Sequence, residues 1–126
     1  MNNYQKAIEN SNIVSKTDIN GIITFVNDEF CNLFGFTKDE LIGKNHNIIR
    51  HPDTPKENFE LLWNTILDKK VYKSTVKNIS KNGEDIYLNT TIIPILDEKE
   101  ENIVEFVAIR YDITNEVLLQ KELEEK

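Results

Sequence analysis

The chain has 126 residues, one of them cysteine, with 15 basic against 22 acidic side chains and a net charge of −7. That length suits one domain with one core, and the lone Cys31 excludes an internal disulfide or a cysteine-rich metal site. The acidic balance argues against nonspecific binding to nucleic acid or anionic membrane, and no apolar run is long enough to span a bilayer and no signal segment opens the chain, so membrane insertion is not expected and a cytoplasmic setting is.

Residues 1–11 are polar, with Tyr4, Ala7 and Ile8 at helical spacing, and are expected to form a leader or cap helix. Residues 13–19 alternate apolar and polar, Asn20-Gly21 supplies a turn, and residues 22–26 are rich in β-branched and aromatic side chains. Together they predict a β-hairpin, because Asn-Gly takes the positive φ that tight hairpins need. Asn27 stands where a helix N-cap belongs, ahead of Asp28 and Glu29. Phe30, Leu33 and Phe34 share a face of that helix, and Gly35 can close it. Thr37-Lys38-Asp39-Glu40 is a capping box for a second short helix running to about Ile42.

A polar stretch follows, from Asn45 to Pro55, which gathers both histidines, Arg50 and Asp53 within eight positions. Polar segments set between regular elements are where binding sites tend to be built. Thr54-Pro55-Lys56-Glu57 reads as another capping box with proline at the first helical position. Phe59, Leu62, Trp63, Ile66 and Leu67 then mark one face of a helix ending near Asp68. Residues 71–79 and 86–96 alternate on either side of a turn at Lys81-Asn82-Gly83-Glu84. Pro94 late in the second of these strands points to an edge position or to the strand's fraying end. Residues 103–111 form a last strand. Residues 115–126 are helix-forming, but marginal as an isolated helix unless packed on the domain, paired with a second copy or continued into a further segment. The expected architecture is α+β, an antiparallel sheet with helices gathered on one side, over residues 12–114.

Catalytic chemistry finds little support. Cys31 sits inside a helix beside Phe30, as small core cysteines do. No nucleophile elbow, phosphate loop or dinucleotide fingerprint exists, so an enzyme is not expected. His46 and His51 are five apart and share no helical face. With Asp53 they make a metal site only through an irregular loop, and hydrogen bonding to loop backbone is the simpler reading. For Arg50 two readings stand open: an anchor for an anionic group, or a pair with Asp53 that fixes the loop. Trp63 reads as core from its helical face, although a tryptophan beside a flavin or porphyrin would look the same.

With these residues in place the chain resembles a PAS domain over about residues 12–114. The likeness runs through Thr17-Asp18-Ile19-Asn20-Gly21, Asn27-Asp28-Glu29-Phe30 and Gly35-Phe36-Thr37-Lys38-Asp39-Glu40-Leu41-Ile42-Gly43. It continues at Lys81-Asn82-Gly83 and closes on Tyr111-Asp112-Ile113-Thr114. That resemblance implies a PAS fold, a five-stranded antiparallel sheet with helices packed on one side, enclosing a ligand cavity. Within the family, Asn45-His46-Asn47-Ile48-Ile49-Arg50-His51-Pro52-Asp53, with Pro55 and Trp63, is similar to the aerotaxis-receptor subgroup.

The subgroup implies FAD bound noncovalently and a report on redox or oxygen state. Its flavin-associated positions fall on Asn27, Arg50, His51 and Asp53, with Trp63 in the same pattern. Tyr72 stands where the subgroup has tryptophan, and Ile86-Tyr87 replaces an aromatic pair. His46 occupies the position where the light-sensing branch needs cysteine, so a cysteinyl-flavin photoadduct is not expected. Haem ligated by His46 or His51 is a rival reading, as is an empty cavity serving dimerisation. A signal is expected to pass from the ring to the sheet near Asn89 or Thr91, then through Asp112-Ile113-Thr114 to the exit helix. The implied partners are a second copy and an output domain: a chemoreceptor, a histidine kinase or a cyclic-dinucleotide enzyme.

Overall fold

The computed structural model describes residues 12–125; the leader expected at 1–11 lies outside the described residues. Strands β1 (Ile13–Thr17), β2 (Ile23–Val26), β3 (Tyr72–Ile79), β4 (Asp85–Leu96) and β5 (Ile103–Asp112) form one antiparallel sheet in the order β2-β1-β5-β4-β3. Between the hairpin β1–β2 and the meander β3–β5 run helices α1 (Asp28–Phe34), α2 (Lys38–Leu41) and α3 (Lys56–Leu67), with a 3-10 turn at His46–Ile49. Helix α4 (Thr114–Glu124) follows β5. This is the expected α+β architecture.

Local chemistry sets most boundaries. Asp18 Oδ1 accepts from the backbone N–H of Asn20 and Ile22, which folds the first turn around Gly21 at φ 82°. Asn27 caps α1 by accepting from Phe30 N at 3.0 Å, and Gly35 ends that helix in the left-handed region. Thr37 and Glu40 complete the capping box of α2 in both directions.

The capping box expected at α3 does not form. Pro55 itself occupies the N-cap position, no side chain caps the helix, and Thr54 N bonds back to His51 O in a preceding turn. Pro94 pairs with Phe106 of β5 and lies two residues beyond the last β3 partner, Ile92. Its missing N–H therefore faces a locally open edge.

The core fills one half of the inner sheet face. Ile13, Ile23, Val26, Ile86 and Leu88 meet Phe30 and Phe34 of α1, Leu41 of α2 and Ile49. The Phe30 and Phe34 rings lie 4.7 Å apart and tilted by 42°. Burying such aromatic side chains contributes roughly 1.5–3 kcal/mol each. Over the other half of the face α3 crosses the sheet, and a cavity remains beneath it.

Candidate functional site: a cavity between helix α3 and the sheet

The polar stretch is pinned at both ends. His46 N donates to Gly21 O at 2.9 Å, beside an Ile22–Asn45 bridge, and Arg50 makes a backbone bridge to Asn78 on β3. Between them Asn45 Oδ1 accepts from Asn47 N and starts the 3-10 turn. The segment thus reaches from the hairpin to the far edge strand, and its side chains are held over the sheet.

Beneath it and α3 lies a cavity of about 350 Å³, within the roughly 300–1,000 Å³ usual for small-molecule sites. Its walls include Trp63 and Leu62 of α3, Tyr72 and Val76 of β3, and Ile92 and Phe106. Trp63 stands edge-on to Phe106, with ring centroids 5.9 Å apart. A Cβ on Gly21 would lie 3.4 Å from the Trp63 ring, so this glycine serves both the turn and the tryptophan's seat.

The inner end is polar. Arg110 of β5 is 2% exposed. It donates from Nη1 to Ser15 Oγ at 3.0 Å and approaches His46 Nε2 through Nη2 at 2.7 Å. A guanidinium has no acceptor atom, so His46 Nε2 accepts and the proton of this imidazole sits on Nδ1. Burial, then the cations Arg110 and Arg50, push the His46 pKa down to about 3. Its ring is enclosed, although the residue as a whole keeps some exposed surface. Burial alone lowers Arg110 to about 9, which leaves it charged at neutral pH. Phe30 lies under the guanidinium, with 5.4 Å to the ring centroid. On β3, Asn78 Nδ2 donates to Ile49 O at 3.2 Å, while its buried Oδ1 has no partner among the described residues. A buried unpaired carbonyl costs about 1–3 kcal/mol until a donor meets it.

The rim is charged. Arg50 stacks on Phe59, its guanidinium carbon 3.4 Å from the ring centroid. Asp53 approaches His51 Nδ1 at 3.7 Å and Lys77 at 3.8 Å, so of the two readings open for Arg50 the loop-fixing pair with Asp53 is not the one observed.

Of the eight residues expected to hold a cofactor, His46, Arg50, Asp53, Trp63 and Tyr72 line the cavity. Three do not. Asn27 is buried as the cap of α1: its Oδ1 serves Val14 N and Phe30 N, and its Nδ2 reaches Asn12 O. His51 is buried but turned away, with Asp53 N donating to Nδ1 at 3.0 Å and Nε2 meeting Asp85 at 2.8 Å. Asn89 is exposed on the outer sheet face with Thr91 as its same-side neighbour, because Leu88, Thr90 and Ile92 are the inward positions of β4.

Ser15, Asn78, Thr90 and Arg110 were not anticipated. Their signal is strand parity. Arg110 shares its face with Phe106 and Ala108, and Asn78 with Tyr72, Ser74 and Val76.

An antiparallel sheet in this order, with helices over one face enclosing a polar-ended cavity, is an α+β domain with an internal cavity of small-molecule size. The chain belongs to the PAS-domain family, which it matches over residues 10–115. It is 34% identical over 108 residues to the aerotaxis receptor of Escherichia coli strain K12, covering 86% of this chain and 21% of that protein. It is 38% identical over 105 residues to a blue-light photoreceptor of Listeria innocua, covering 83% of this chain and 41% of the relative. The chain therefore spans less than half of these relatives. The LOV domain of a blue-light activated histidine kinase from Erythrobacter litoralis superposes with a TM-score of 0.74 at 22% identity, covering 82% of this chain and 96% of that one, and shares the fold.

Proposed function

We propose that this PAS domain senses through a flavin held in the cavity, FAD by its resemblance to the aerotaxis-receptor subgroup, and passes the flavin's state to an output domain. The observation that carries the reading is the pairing of unmet polar groups in one cavity. Asn78 Oδ1 lacks a donor, and Arg110 holds N–H groups beyond the two that Ser15 and His46 occupy. A flavin ring offers an imide N–H flanked by carbonyl oxygens, which suits such a set. The flavin supplies redox chemistry when bound.

The chain's residues bind and orient it: Trp63, Leu62 and Ile92 give an apolar slot, and Asn78 gives an acceptor. Arg50, braced on Phe59 at the mouth, suits the phosphates of the tail. The reading is binding rather than catalysis.

Haem fits these residues poorly. The only imidazole lining the cavity presents Nε2 to a guanidinium at 2.7 Å, which would repel an iron there. His51 is absent from the lining, and both its nitrogens are engaged, Nδ1 by Asp53 N and Nε2 by Asp85. A photoadduct lacks its thiol, since Cys31 lies outside the lining and burial pushes its pKa up.

The route outward runs through Tyr87 rather than Asn89 or Thr91. Tyr87 sits between Ile86 and Leu88 of the core but faces α4. Its N–H donates to Thr114 Oγ1 at 3.0 Å, its carbonyl accepts from Ile113 N at 2.9 Å, and its hydroxyl meets Lys121 at 2.8 Å. A change on the inner face of β4 therefore reaches the root of α4 through adjacent residues of one strand. Leu118, Leu119 and Leu123 are exposed on that helix and suit pairing with a second copy or with an output helix. The output unit is of the chemoreceptor, histidine kinase or cyclic-dinucleotide-enzyme kind, and the setting is cytoplasmic. Among the described residues no helix is long and apolar enough to cross a membrane.

Denaturing the purified protein and recording the absorbance of the supernatant tests the flavin. A flavin spectrum, directly or after reconstitution with FAD, is the expected result. A colourless protein that takes up none would end the reading, and a haem spectrum would replace it.

A further inference from the structure

Arg110 carries an uncompensated positive charge inside the domain. Its two hydrogen-bond partners, Ser15 Oγ and His46 Nε2, are both neutral, and it forms no ion pair among the described residues. Phe30 offers only the face of a ring. Burial of an unpaired charge is costly, and buried guanidinium groups are normally met by a carboxylate. The titratable and charged groups around it do not supply one: Asp53, the carboxylate of the cavity lining among the described residues, lies at the rim against Lys77 at 3.8 Å and His51 at 3.7 Å. His46, on the 3-10 turn, stays neutral through the physiological range, and Arg50, at the end of that turn, is itself a cation that depresses His46. Ser15 on β1 and Thr90 on β4 line the same cavity and are uncharged. Two neutral acceptors take two of the five N–H donors that a guanidinium carries. The side chain is therefore positioned, but not neutralised, at the inner end of a cavity open to a ligand.

We propose that Arg110, held by Ser15 and His46, is the anion-pairing residue of this cavity, so that the domain favours the more negatively charged redox state of its bound ring. The proposal rests on the flavin reading above. Uptake of two electrons and one proton turns a neutral oxidised flavin into a monoanion, the electrons coming from a chemical reductant such as dithionite. A fixed cation at the ring stabilises that product over the oxidised form and removes the need for a second proton. His46, neutral and accepting, keeps the guanidinium aimed without competing for the negative charge. Arg110 thus sets a redox preference through electrostatics and is not a catalytic residue.

Potentiometric titration of the FAD-reconstituted full chain, followed by absorbance, tests this. Relative to wild type, Arg110→Gln should lose at least tenfold in its preference for the reduced over the oxidised flavin. That is a midpoint lower by about 30 mV for a two-electron couple. Arg110→Lys, which keeps the charge, should recover most of the loss. A second measurement needs no variant. The wild-type midpoint should fall by about 30 mV per pH unit, the value for one proton per two electrons, and should keep that slope into mildly acidic buffer. A two-proton slope at neutral pH, or Arg110→Gln with flavin bound and an unchanged midpoint, would overturn the proposal while leaving the flavin reading intact. Wild-type protein that retains no FAD would overturn both.

Discussion

At the inner end of the cavity Arg110 meets only neutral partners, Ser15 and His46, within a buried setting. At the rim, Lys77 and the buried His51 are met by the more solvated carboxylates Asp53 and Asp85, while Arg50 stacks on Phe59. The two histidines make the contrast concrete. His46 accepts from a cation and is held neutral, whereas His51 accepts a backbone N–H on Nδ1 and gives Nε2–H to the Asp85 carboxylate, which that bond holds below the usual carboxylate range. Two chemically identical side chains five residues apart thus serve different ends, one lining the cavity and one as a loop clamp. Electrostatic interactions are strong where water is excluded and weak where it is not. The inner end should therefore dominate both pH response and ligand preference, and the rim should tolerate change.

The largest expected effect is acid sensitivity through His46. Its folded pKa of about 3 lies below the ordinary 6.5, so below pH 6.5 the unfolded chain binds a proton that the folded chain refuses. The stabilisation is fully present above 6.5 and is lost as pH falls toward 3. The loss is about 3 kcal/mol by about pH 4, at ~1.4 kcal/mol per unit. Denaturant melts of wild type and His46→Gln at neutral and acidic pH check this. The substitution should flatten the decline, and parallel declines would place the acid sensitivity elsewhere.

Next comes Gly21→Ala, which should cost about 1–2 kcal/mol, because φ of 82° is strained for a residue with a Cβ. The same Cβ would come into contact with the Trp63 ring at 3.4 Å, so Trp63 emission should shift along with the melting point. A stable variant with unchanged emission would show that the turn does not seat the tryptophan.

The folded frame was largely legible in the sequence because its signals are local. The Asn27 cap on Phe30, Gly35, the Thr37 capping box and both Asn-Gly turns act within four residues of themselves. The α3 box failed because the His51–Thr54 turn positions Pro55, not Thr54, at the helix start. The site was half legible. Residues of the polar stretch could be named, but which of them faced inward depended on a strand bridge at each end, and His51 turned the other way. Asn89 missed by one residue, which in a strand means the opposite face. Arg110 and Asn78 were readable only as polar interruptions of an inward-facing alternation, and their significance lies in partners far away in sequence.

A milder effect is expected from Asn78→Leu. Removing an orphaned carbonyl offsets the lost bond to Ile49, so stability should change by less than about 1 kcal/mol. FAD affinity should nonetheless fall about tenfold, as for one lost hydrogen bond of ~1.4 kcal/mol. Equal affinity in calorimetric titration would remove Asn78 from the ligand's contacts. The smallest effect belongs to the rim: Asp85→Asn should shift melting least of these changes and leave FAD affinity unaltered, since His51 keeps its backbone bond to Asp53. A large affinity loss there would dissolve the distinction between the two ends.

The most direct measurement uses the only tryptophan, which lines the cavity. Titrating FAD into flavin-free protein while following Trp63 emission should give saturable quenching that ends at one flavin per chain. Emission that stays constant through an excess of FAD, in protein shown to be folded, would contradict a flavin-holding cavity.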